Sequence, residues 1–67
     1  MDTIKRVQDL MQLRDMNLCV LAKKCGISYS TIQTTARRRG QLSVETIERI
    51  CLGLGITLKD FFDSSYL

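Results

Sequence analysis

An all-α fold of five short helices is what this sequence predicts, on three observations. Asn17, Ser28, Ser43 and Thr57 each have an apolar residue just before them and another four positions later, the pattern of an N-cap closed by a hydrophobic staple. The apolar residues between these caps recur at helical spacing. Finally, the 67 residues contain no proline, no internal repeat and no strand-like stretch, so turns fall to glycine and to the caps.

The first helix, about Thr3 to Arg14, aligns Ile4, Val7, Leu10 and Met11 on one face, with basic and amide side chains opposite. Asn17 starts a second helix, about Leu18 to Cys25, with Leu21, Ala22 and Cys25 inward and Gly26 available for positive φ after it. Ser28 then caps a third, Tyr29 to Arg37, with Ile32, Ala36 and partly Thr35 inward. A fourth, Val44 to Leu54, turns Val44, Ile47, Ile50, Cys51 and Leu54 to the core and ends at Gly55, a natural left-handed residue. The fifth, Leu58 to Phe62, begins at Thr57 with Asp60 in capping-box position and brings Leu58, Phe61 and Phe62 over the open end of the core.

Composition narrows the function classes. With 45% hydrophobic and 25% charged residues the chain reads as one soluble domain, residues 1–67, with its core at about 4–62 and a tail at 63–67. So small a core favours a partner chain, and a homodimer is expected. No apolar run has the ~20 residues of a membrane helix. The N-terminal segment has no uninterrupted apolar stretch of the secretory kind, so the expected location is cytoplasmic. Cys19, Cys25 and Cys51 form no CxxC pair and histidine is absent, which argues for free thiols and against a metal site. Paired carboxylates at a catalytic spacing and a glycine-rich phosphate loop are also missing, so neither an enzyme nor a cofactor is expected, and no small-molecule ligand is evident.

Charge is divided unevenly. Residues 1–40 hold eight cations against three anions, net +5, whereas residues 41–67 hold two against four, net −2. The basic end suits a polyanion.

Two segments, LAKKCGISYSTI and LSVETIERICLGLGITLKDFF, resemble the Cro/repressor-type helix-turn-helix proteins, the Xre-like group of bacteria and their phages. The likeness runs over residues 4 to 62, through Leu21-Ala22, the Gly26-Ile27-Ser28 turn, Ile32 and the run Leu54 to Leu58. It implies a lambda-repressor-like five-helix fold, with the helix-turn-helix at helices two and three. The third helix would lie in the major groove of double-stranded DNA, and the protein would act as a homodimer on a palindromic operator. Three departures stand out. Leu18 replaces a glutamine that often donates to phosphate, Thr35 replaces a larger aliphatic residue, and Arg37-Arg38-Arg39 precede Gly40 where a glycine often ends the reading helix.

On the third helix the face opposite Ile32 carries Tyr29, Ser30, Gln33, Thr34 and Arg37. Tyr29, Ser30, Gln33 and Thr34 are the expected base contacts. Gln33 can pair bidentately with adenine, Ser30 and Thr34 can bond several base edges, and Tyr29 can meet a thymine methyl or a phosphate. Phosphate contacts are expected from Asn17, Lys23, Lys24, Ser28, Thr31, Arg37, Arg38, Arg39 and Gln41, cations or groups at helix N-termini. Lys5 and Arg6 are read as plain solvated charges. Leu52, with Tyr66 and Leu67 of the tail, is expected at a dimer seam. The reading is therefore a dimeric, sequence-specific transcriptional repressor. Its rival is a protein-binding module, antitoxin-like or anti-repressor, acting through apolar patches; the charge division favours DNA.

Overall fold

The computed structural model describes residues 2–63, and five helices follow in the expected order: α1 Thr3–Leu13, α2 Leu18–Cys25, α3 Tyr29–Arg37, α4 Val44–Leu54 and α5 Leu58–Phe62. The bounds of α2 to α5 are those predicted, and α1 stops one residue short of Arg14. No strand occurs among the described residues, and none of their helices is long and apolar enough to cross a membrane.

Three of the four links share one three-residue plan. Asp15 (φ 52°), Gly26 (φ 65°) and Gly55 (φ 69°) are left-handed and end α1, α2 and α4. The next residue, Met16, Ile27 or Ile56, returns its N–H to the carbonyl of Met11, Ala22 or Cys51, at 3.0 Å each time. This six-to-one bond of a Schellman ending satisfies a carbonyl the helix leaves over. The same three side chains pack half-buried against the core. The third residue, Asn17, Ser28 or Thr57, then stands at the cap of the next helix.

Four of the five helices have a side-chain cap. Asp2, Asn17, Ser43 and Thr57 accept the N–H of Lys5, Val20, Thr46 and Asp60. The Asp60 carboxylate in turn accepts the Thr57 N–H (3.2 Å), and these bonds with Thr57 hold the Asp60 carboxyl below its ordinary range. The Asp2 cap was not anticipated. Ser28, expected to cap α3, makes no such bond; its hydroxyl lies 2.9 Å from that of Ser30 instead.

Val7, Leu10, Leu21, Cys25, Ile32, Leu42, Ile47, Ile50, Cys51 and Phe61 form one buried cluster, with Ile4, Met11, Leu18 and Leu54 half-buried against it. Three expected core positions lie outside. Val44 has the right azimuth on α4, but it sits in the first turn, beyond the layer that buries Ile47, and is 65% exposed. Leu58 and Phe62 remain 40% and 36% exposed, because Phe61, fully buried, closes the core by itself; Phe62 meets its ring edge-on at 5.1 Å. Arg6 also departs from expectation. Its side chain is 11% exposed, and it donates from Nε to the Phe61 carbonyl (2.7 Å) and from Nη2 to that of Asp60 (2.8 Å). A cation expected in solvent thus satisfies the carbonyl end of α5 and ties it to α1.

The most extensive helix pair is α2 with α4. At their crossing a β-carbon on Gly53 would stand 2.4 Å from the Cys25 sulfur and 3.0 Å from its Cα. Gly53→Ala is therefore expected to lower the unfolding free energy by about 1–3 kcal/mol, read from the urea midpoint.

Burial, the largest influence in each case, raises the thiol pKa of both Cys25 and Cys51 above 9.0. A thiol pKa raised in the folded state gives stability that is complete below the unfolded value and lost as pH climbs through the folded one. The melting temperature should fall above pH about 9, and Cys51→Ala should make that decline shallower.

Candidate nucleic-acid interface

The turn Gly26-Ile27-Ser28 sets α3 after α2, and α4 braces it from behind. Arg49 on α4 donates from Nη1 to the Gly26 carbonyl (3.3 Å) and pairs through Nη2 with Glu45 (3.1 Å). This brace gave no local sign in the sequence, since its two ends are 23 residues apart. Ile32, the one fully buried residue of α3, fixes the rotation of the helix. Tyr29, Ser30 and Gln33 are then exposed, as expected of reading residues, while Thr34 is half-buried. Thr35 turns its hydroxyl back to the Thr31 carbonyl (2.9 Å), which suits its inward placement.

Two of the exposed residues are joined. Gln33 Nε2 donates to the Tyr29 hydroxyl at 2.8 Å, one turn apart on the same face. Since Ser28 leaves the first turn of α3 without a side-chain cap, the leading N–H groups there remain for water or an anion.

Cations flank this face at helix ends. Lys23 and Lys24 occupy the last turn of α2 and Arg37 that of α3, where the helix dipole also favours positive charge. Arg38 and Arg39 follow, both exposed. Among the described residues the ion pairs are Arg6 with Asp9 and Arg49 with Glu45, so none of these five cations is neutralised by a described carboxylate.

After α3 the three-residue plan fails. Arg39 is left-handed (φ 54°), the Gly40 N–H returns to the Thr35 carbonyl (3.0 Å), and two extra residues, Gly40 and Gln41, precede Leu42. Arg39 thus takes the position that glycine fills after α2 and α4. The longer link is anchored to α1. Buried Thr3 donates from N (3.0 Å) and Oγ1 (2.7 Å) to the Gln41 Oε1, and Oγ1 accepts the Leu42 N–H (2.9 Å). Gln41, expected on phosphate, therefore has its side-chain oxygen committed within the fold, and only its amide nitrogen is left to reach outward.

The remaining expected contacts fall as follows. Asn17 spends its Oδ1 on the Val20 N–H (2.9 Å), which keeps its amide nitrogen as the donor, and Ser28 and Thr31 are exposed beside the turn. Leu18, in place of a phosphate donor, packs half-buried against the core. Leu52 is 83% exposed, in a shallow groove with Glu48, Cys51, Gly55, Ile56 and Leu58. Tyr66 and Leu67, expected beside it, lie outside the described residues.

A family model described as the Cro/C1-type HTH DNA-binding domain matches residues 6–64. No curated protein and no solved structure matches the chain.

Proposed function

The chain belongs to the Cro/C1-type helix-turn-helix DNA-binding domain family, and from that premise we propose that it is a dimeric transcriptional repressor reading an operator through the major groove with α3. The observation that carries the proposal is the exposed face of Tyr29, Ser30 and Gln33, bordered by five cations with no described carboxylate partner. Those three residues, with Thr34 at the edge of the face, contact bases. Lys23, Lys24, Arg37, Arg38 and Arg39 neutralise phosphates, and Asn17, Ser28, Thr31 and the Gln41 amide add neutral donors. Two copies joined through the Leu52 groove would present two such faces to a palindromic site. The matched residues 6–64 act as one DNA-binding domain, on the nucleoid in the cytoplasm.

Selection from a random DNA pool tests this reading directly, since the expected product is one palindromic motif. Enrichment of no motif would overturn it. Affinity for the selected duplex should fall steeply with salt, by roughly 0.9 in log K per log salt for each phosphate neutralised.

Arg39 separates stability from binding. A non-glycine residue in the left-handed region costs about 1–2 kcal/mol, so Arg39→Gly should raise the melting temperature while weakening DNA binding and reducing the salt slope by about one. A stabilised variant with unchanged affinity would remove Arg39 from the interface. For the dimer, Leu52→Glu should sediment as a monomer at concentrations where the unaltered chain is dimeric.

A further inference from the structure

We infer that Tyr29 is a positioning residue for base recognition: its hydroxyl, bonded to Gln33, sets which edge of the Gln33 carboxamide faces the DNA. This rests on the proposed reading role of α3. The two side chains are exposed on the same face, and Gln33 Nε2 donates to the Tyr29 hydroxyl at 2.8 Å.

A primary carboxamide has one N–H cis to its oxygen and one trans. Pairing with adenine uses the oxygen and the cis N–H, which meet N6 and N7 of the base. The trans N–H takes no part in that pairing and is the one left for Tyr29, so both bonds can form at once. Without a partner, the terminal torsion of glutamine is broad and roughly two-fold, and the oxygen and nitrogen exchange places at little cost. Exchanged, the amide no longer matches adenine.

The tyrosine hydroxyl can hold one orientation only if its own proton is used elsewhere. A phosphate oxygen supplies that acceptor. With the proton given to phosphate, the Tyr29 oxygen can only accept, and Gln33 must offer it an N–H. Backbone contact and base choice are thereby coupled through two side chains of one helix. An exposed side-chain pair one turn apart adds little to helix stability, so the bond matters for recognition far more than for folding.

The test uses a duplex selected from a random pool with the unaltered protein, together with all its single-base-pair variants. Gln33→Ala should flatten the preference at one adenine position. Tyr29→Phe, which keeps the ring and removes the hydroxyl, should weaken the preference at that same position by about 5-fold or more, with the unfolding midpoint unchanged. The double variant should match Gln33→Ala alone. If Gln33→Ala flattens the adenine preference and Tyr29→Phe leaves it intact, the positioning role is overturned and the reading role of α3 stands. Loss of preference at a different base pair in Tyr29→Phe would likewise overturn it, since the Tyr29 hydroxyl, and not only the ring, would then read a base of its own instead of holding Gln33. If Gln33→Ala alters no position, or the unaltered protein prefers no duplex, the reading role of Gln33 fails, and the inference with it.

Discussion

Where α4 crosses α2, the chain has no room for a side chain. Gly53 lies against Cys25, whose thiol also sits 3.8 Å from the Ile50 carbonyl. Cys25 is the residue directly before Gly26, so the closeness of that crossing sets the height of the turn and with it the start of α3. One turn earlier on α4, Arg49 holds the Gly26 carbonyl. The orientation of α3 therefore rests on α1 and α2, against which it packs around its single buried residue, Ile32, and on the turn that Arg49 of α4 holds. An added methyl at residue 53 would act on a face that it does not touch.

The links make the same point from the other side. Left-handed residue, apolar residue, cap: that order occurs at Asp15-Met16-Asn17, Gly26-Ile27-Ser28 and Gly55-Ile56-Thr57. Each middle residue closes one helix through its N–H and packs on the core with its side chain. Glycine accepts positive φ freely, and a short polar aspartate tolerates it. Arginine has neither advantage, yet Arg39 holds that place in the longest of the four links. Under the proposed function, the rule is broken where the charge is densest because backbone comfort yields to contact with phosphate.

Most of the fold was readable in the sequence because its signals are local. Caps, staples and periodic stripes lie within a few residues of one another, and the bounds of α2 to α5 followed from them. What escaped depends on pairs distant along the chain. Thr3 with Gln41, Arg6 with the carbonyls of α5 and Arg49 with Gly26 are joined only by folding, and no spacing rule reports them. Val44 failed for another reason: periodicity gives the direction of a side chain but not whether the core extends to its height. At the interface the exposed face of α3 followed from helical geometry, whereas the bond between Tyr29 and Gln33 depends on rotamers, and the missing Ser28 cap on a competing hydroxyl at Ser30.

The knot of Thr3 with Gln41 and Leu42 bears on the speed of encounter. A basic loop that had to order itself on the polyanion would lose conformational freedom at contact, and its ordering would compete with escape. Here the residues just after the arginines are already tied to α1 by three hydrogen bonds, so the charges arrive on a framework set beforehand. Under the proposed function, the association rate is then governed by diffusion in the protein's own field, and dissociation carries the differences between one duplex and another.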